Sequence, residues 1–272
     1  MPGRGDEPSA AADRDDAILT VSGLELRFGG VHALAGTDLD VRRGSITALI
    51  GPNGAGKTTL FNAVTGFYRA ERGVVLFDGQ PVLGRPPHAI ARLGMARTFQ
   101  LTKTLAAMPV LDNMMLAAPD QPGERLANVV LHPRRWRARE DVVRARALAL
   151  LDTFDLRDQA YAYAGTLSGG QRKLLELARV LMLEPRLILL DEPMAGINPA
   201  LAQRLLEHIH ALREREHVTF FFIEHDMDVV MGQSDRVVVM SQGEVIADGT
   251  PERVSRDARV IDAYLGSVED DR

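Results

Sequence analysis

The chain has 272 residues, 46% of them hydrophobic, enough to fill the core of one large domain or of a domain carrying an insertion. It contains no cysteine, which excludes disulfides and thiolate metal sites and fits a reducing compartment, and its net charge of −5 argues against a protein built to grip nucleic acid. No apolar run approaches the roughly 20 residues of a membrane-spanning helix, and the N-terminus lacks the continuous apolar stretch of a secretory signal.

Residues 1–17, opening "MPGRGDEPSAAADRDD", are rich in Gly, Pro, Ala and charge without apolar periodicity, and they read as a disordered tail. Residues 266–272, "GSVEDDR", read the same way at the other end. Between them, short β-branched and apolar runs alternate with helical patterns. "SITALIG" precedes a glycine-rich loop, "RLILLDE" follows a leucine-rich helix, and "VTFFFIEH" follows "ALAQRLLEHIHALRERE". The fold class is therefore α/β, with a mainly parallel sheet covered by helices. "GVVLFDGQPV" and "RVVVMSQGEVIADG" each set a glycine-containing turn between alternating strands and predict antiparallel hairpins.

From residue 100 to 166 strand signals fade and Leu, Ala, Met and Arg dominate, as in "EDVVRARALALLDTF". This stretch predicts an inserted helical subdomain between a first core segment, 18–99, and a second, 167–265. Its basic stretch "HPRRWRARE" is expected to be a solvated face.

The sharpest motif is "GPNGAGKT", Gly51, Pro52, Asn53, Gly54, Ala55, Gly56, Lys57 and Thr58, placed after a predicted strand and at the start of the helix "TTLFNAVTG". The glycines let the backbone approach phosphates with a concave row of N–H groups, and Lys57 adds a point charge for the β- and γ-phosphates. Thr58 is expected to hold Mg²⁺ through its hydroxyl, with Thr59 following in the same phosphate-binding turn. "RLILLDEP" is a buried-strand run that delivers two adjacent carboxylates at its end, Asp191 as the Mg²⁺ partner and Glu192 as the candidate general base for an attacking water. The two motifs together describe a P-loop NTPase.

"LSGGQ" adds a puzzle. Ser168 and Gln171 have the spacing of a capping box, but Gly169 and Gly170 each give up about 1 kcal/mol of helix propensity in that first turn. Bare N–H groups at a helix start suit an anion. In this order and spacing the motifs resemble the ATP-binding cassette (ABC) ATPases, and the resemblance runs along nearly the whole chain after residue 17. It implies a P-loop NTPase of ABC type with an antiparallel β subdomain and an inserted helical subdomain. It further implies Phe28 stacking on adenine, Gln100 at the metal and in catalysis, His225 of "IEHD" at the γ-phosphate, and Ser168, Gly169, Gly170 and Gln171 binding the nucleotide of a second subunit. Asn198, in "AGIN", stands where many members have aspartate, and it marks the amino-acid importer branch.

The words "ARTFQ", "EPMAGINPA", "IEHDMDVVM" and "VIDAYLG" are similar to the ATPase subunits of importers for branched-chain amino acids and of their urea-importing relatives. That likeness implies ATP and Mg²⁺ as cofactors, and a second ATPase subunit, as homodimer or paralogous heterodimer. It also implies two membrane-spanning permease subunits, an external solute-binding protein acting indirectly, and a peripheral place at the cytoplasmic face of the membrane. Nucleic acid is not expected as a partner. Residues 101–116, "LTKTLAAMPVLDNMML", are expected to begin the permease contact. The DNA-associated branch of the family, a translation-associated branch and a P-loop small-molecule kinase are the rivals. The first usually carries long coiled-coil or zinc-bearing insertions, the second usually two cassettes per chain, and the third leaves "LSGGQ" and "EHD" unexplained.

Overall fold

The computed structural model describes residues 16–98, 105–119 and 133–266. Most of both expected tails, and Gln100, lie outside these residues. At the N-terminal edge the tail expectation needs one correction, since Ala17 already pairs with Arg42 and begins the first strand. The chain divides into two compact units, residues 1–90 with 212–272, and residues 91–211.

In the first unit β1 (Ala17–Phe28) and β2 (Val31–Arg42) form a long antiparallel ribbon. β1 pairs on its other side with β4 (Arg72–Phe77), which folds back into β5 (Gln80–Pro81), so the sheet order is β2-β1-β4-β5. The predicted "DG" hairpin closes through Asp78 and Gly79, with φ of +50° and +71°. Positive φ at both central residues is the requirement of a type I′ turn, which matches the twist of the flanking strands.

The other strands of this unit are β3 (Ile46–Ile50), β8 (Thr219–Ile223), β9 (Arg236–Ser241) and β10 (Glu244–Gly249). β3 lies between β8 and β9 and is parallel to both, while β10 returns antiparallel to β9. Every residue of β3 and β8 is buried, which is why both read as unbroken apolar runs instead of alternating ones. α1 (Lys57–Val64) follows β3 and sets Phe61 against Phe221 with ring centroids 5.0 Å apart. The second predicted hairpin turns at Gln242 and Gly243, again with both φ positive.

Arg236, at the start of β9, reaches Asp40 on β2 and Asp248 on β10, both at 2.6 Å. The two carboxylates hold its guanidinium well above the ordinary range despite burial. Arg236→Met is expected to cost about 2 kcal/mol, less than a fully buried pair because the carboxylates keep some solvent. Denaturant titration checks this, and an unchanged midpoint would show the bridge to be idle.

The second unit holds a parallel pair, β6 (Met95–Arg97) and β7 (Leu187–Asp191). Among the described residues its α-helices are α3 (Val110–Leu116), α4 (Pro133–Thr153), α5 (Gly169–Leu181) and most of α6 (Pro199–Glu216). The division differs from that expected at 99/100 and 166/167. β6 pairs with β7 from Met95↔Leu187 to Arg97↔Leu189, and the Arg186 guanidinium donates to the Leu93 carbonyl. That pairing joins residues 91–98 to 167–211, and both belong to the same compact unit as the helical stretch. Within it, fully buried Asn113 accepts from the Leu105 N–H at 2.9 Å and donates to the carbonyls of Leu105, Met108 and Pro109. Val110, Leu111 and Met114 face the core, whereas Leu105 and Leu116 are exposed.

Among the described residues no helix is long and apolar enough to cross a membrane. The remaining described α-helices are α2 (Pro87–Arg92), which runs across the division after residue 90, and α7 (Met227–Gln233), α8 (Pro251–Val254) and α9 (Ala258–Gly266) of the first unit.

Candidate active site

β3 ends at Ile50 and the loop 51–56 begins at once, at the C-terminal edge of the parallel strands, where α/β proteins place their ligands. Its glycines are demanded by the backbone. Gly51 has φ +149°, and a Cβ there would lie 2.1 Å from the Met240 carbonyl oxygen; Gly56 has φ +101°, and a Cβ would lie 2.5 Å from the Ala33 oxygen. Gly54 also has positive φ, but its side faces open space.

The loop is tied down from far away. Gly243 donates its N–H to Ala55 O at 3.0 Å, and its own carbonyl accepts from the Ala35 N–H and the Thr37 hydroxyl. Lys57 is largely buried, and its ammonium donates to Gly51 O at 2.6 Å and Pro52 O at 2.9 Å. Thr58 is exposed at the first turn of α1, with Thr59 half-buried behind it. Burial pushes the Tyr264 phenol up, and a hydrogen bond with the Gly51 backbone opposes that shift.

The same unit carries His225. Because β8 runs parallel to β3, with Ile223 beside Leu49, the exposed His225 lies just beyond the same strand edge as the loop. Its N–H donates to the buried Glu224 carboxylate at 3.1 Å. Phe28 is half exposed and meets Tyr68 edge to face at 5.2 Å, a neighbouring ring that sequence reading did not find.

In the second unit β7 ends on Asp191, whose carboxylate is almost wholly buried. Arg97 of β6 donates to Oδ2 at 2.7 Å. Oδ1 is also buried and has no hydrogen-bond partner among the described residues. Glu192 follows with φ +49°, a left-handed backbone that costs an ordinary residue about 1 kcal/mol. Asp191 and Glu192 both line one cleft, together with Thr98 and Lys173. A strand that simply continued would send successive side chains to opposite faces.

The signature helix α5 starts with the expected capping box. The Ser168 hydroxyl accepts from Gln171 N–H at 3.2 Å, and Gln171 Oε1 accepts from Ser168 N–H at 2.9 Å. The two glycines differ in a way the sequence did not reveal. A Cβ on Gly169 would meet open space, but one on Gly170 would meet Leu201 Cδ2 at 1.7 Å. Gly170 is thus small at least partly to admit the start of α6. Asn198 caps that helix, its carboxamide oxygen accepting from Leu201 N–H at 2.9 Å.

Sequence reading missed Arg97, Lys173 and Tyr264. For the first, an arginine three residues before the expected insertion was the only signal.

The pattern of the family described as "ABC transporter" matches residues 34–195, more than half of the chain. The chain belongs to the ABC transporter family. A second pattern, described as "Branched-chain amino acid ATP-binding cassette transporter", matches residues 244–270 of this cassette. The cassette is 42% identical over 251 residues to the Pseudomonas aeruginosa "High-affinity branched-chain amino acid transport ATP-binding protein BraF", covering 92% of this chain and 98% of that protein. It is 41% identical over 252 residues to the Archaeoglobus fulgidus "Probable branched-chain amino acid transport ATP-binding protein LivG", covering 93% and 96%. Among solved structures it resembles the ADP conformation of an ATP-binding cassette of an ABC transporter, at 36% identity and TM-score 0.79, covering 92% of this chain and 99% of that one. A nucleotide-free cassette gives the same TM-score at 35% identity, covering 91% and 98%.

Proposed function

We propose that this cassette is the ATP-hydrolysing subunit of an importer for branched-chain or other hydrophobic amino acids, working with separate membrane-spanning permeases at the cytoplasmic face of the membrane. The observation that carries the nucleotide part is the loop at 51–58, whose Gly51 and Gly56 admit no side chain and whose Lys57 already sits on the loop's own carbonyls. The cargo rests on the relatives, since both proteins named above are described as branched-chain amino acid transport proteins.

In this reading the N–H groups of 51–58 and the Lys57 ammonium hold the β- and γ-phosphates, and Phe28 packs on the base. Asp191 fits a divalent cation, because a buried carboxylate oxygen with no partner is the hard donor that Mg²⁺ accepts, and the Thr58 hydroxyl would be the second protein ligand. When bound, Mg²⁺ would neutralise charge on the β- and γ-phosphate oxygens. Glu192 takes a proton from the attacking water, and His225 contacts the γ-phosphate. Gln100, outside the described residues, is proposed for the same metal and the same reaction.

Ser168, Gly169 and Gly170 serve the nucleotide of a second copy or close paralogue, so ATP joins the two cassettes, and loss of the γ-phosphate weakens the joint. That opening is the movement the permeases use. The test of the cargo is uptake by the cassette reconstituted with its native permeases and solute-binding protein. Leucine uptake well above urea uptake is expected. The reverse would assign the cassette to urea or a short amide, and DNA-stimulated hydrolysis without uptake would assign it to the DNA-associated branch.

A further inference from the structure

We infer that Lys173 is a positioning residue for Glu192, holding the left-handed turn after β7 and tying it to the signature helix, so that what is bound at Ser168–Gly170 bears on the geometry of the base. An ammonium has three donors, and that of Lys173 meets three carbonyl oxygens of one short stretch: Glu192 O at 3.4 Å, Pro193 O at 3.0 Å and Ala195 O. These acceptors belong to the segment between the end of β7 and the start of α6. Within that segment the backbone closes locally, Ala195 N–H donating to Glu192 O at 3.1 Å and Ile197 N–H to Met194 O at 3.5 Å. Ammonium-to-carbonyl bonds are charge-assisted, and they are stronger than neutral ones.

The strap lies where the backbone needs it. Glu192 at φ +49° is neither Gly nor Asn, and such a residue stays in the left-handed region only when its surroundings determine it. The turn also has a chemical effect. Asp191 is the last residue of β7, and an extended Glu192 would face away from it. With the left-handed turn in place, Asp191 and Glu192 border the same cleft, and Lys173 borders it as well.

Lys173 lies two residues beyond the capping box of α5, on the helix whose first turn presents Ser168, Gly169 and Gly170. One rigid helix therefore carries the residues proposed to touch a second copy's nucleotide and the side chain that fixes this copy's base. Arrival or loss of the neighbour's γ-phosphate would be felt at Glu192 through a single side chain. This linking role rests on the proposed two-copy arrangement; the strap itself does not.

The experiment compares Lys173→Met and Lys173→Arg with the parent, using the full chain. Lys173→Met is expected to lower kcat for ATP hydrolysis by about tenfold or more through a displaced base, with KM for ATP changed by less than about twofold. Amide exchange in a peptide spanning residues 190–198 should rise, while exchange in β3 and β8 stays at the parent level. Lys173→Arg keeps donors that reach carbonyls and should restore most of both. In a Glu192→Gln background Lys173→Met should cost almost nothing further, because it acts through the carboxylate already removed.

Parent-like exchange in 190–198 with kcat within about twofold of the parent overturns the strap, as does a loss that adds in full to that of Glu192→Gln. If Lys173→Met does not fold, Lys173→Gln is read in its place by the same criteria. For the linking role, ATP should raise protection of 190–198 in Glu192→Gln but not in Glu192→Gln with Lys173→Met. Equal protection in both overturns the link. Failure of Glu192→Gln to associate with ATP would instead overturn the two-copy reading, leaving the strap to be judged by the exchange and kcat of the single variants.

Discussion

Glu192→Gln is expected to lower kcat for ATP hydrolysis by about 10²- to 10⁴-fold, the range for removal of a general base, while ATP affinity stays within about twofold of the parent. The carboxamide has nearly the shape of the carboxylate but cannot accept the proton of the attacking water. The substitution leaves Asp191 and its bond from Arg97 in place, and Lys173 bonds the Glu192 main-chain oxygen, which the variant keeps. Binding should therefore survive, and uncleaved ATP should accumulate between two copies. Sedimentation is expected to show a dimer with ATP and Mg²⁺ and a monomer without nucleotide. Full activity in the variant would remove Glu192 from the chemistry, and a monomer under every condition would remove the shared site.

Gly51→Ala is expected to abolish ATP binding and to lower stability by several kcal/mol. Two costs combine. The backbone at φ +149° is one that side chains rarely adopt, and the new methyl would stand 2.1 Å from the Met240 carbonyl, a main-chain atom that cannot rotate aside. Either β9 or the loop must shift, and the loop is the part proposed to hold phosphates. Gly54→Ala is the control. At φ +76° with open space around it, the substitution should cost about 1 kcal/mol of backbone strain and leave affinity nearly intact. Isothermal titration with ATP, set beside denaturant midpoints, separates the two. Equal behaviour would show that flexibility, not close approach, is what the glycines provide.

Much of this was legible in the chain because the signals were local. A turn of Asp78 and Gly79 between alternating strands needs no distant partner to be recognised, and neither does a capping box whose two members lie three residues apart. The loop at 51–58 could be read because its glycines, its lysine and the apolar run before it are contiguous. What escaped was long-range or short. β6 has only three residues, too few for any periodicity, and its Arg97 gains meaning from Asp191, 94 positions away. Lys173 looks like any helical lysine until the chain returns 19 to 22 residues later and offers it three carbonyls. Gly169 and Gly170 looked equivalent in sequence, and Leu201 makes them different.

The anchoring of the phosphate loop by the hairpin turn at Gly243 bears on how the protein is made. The Thr37 hydroxyl and the Gly243 carbonyl are 206 residues apart in the chain, and the same glycine donates to Ala55 inside the loop. Synthesis runs from the N-terminus, and contacts of such separation form late and slowly. The segment proposed to hold phosphate leaves the ribosome well before Gly243, which supplies one of its restraints. A ribosome-bound fragment ending before residue 243 is therefore expected to carry the glycine-rich motif without the bonds that Gly243 makes to Ala35, Thr37 and Ala55.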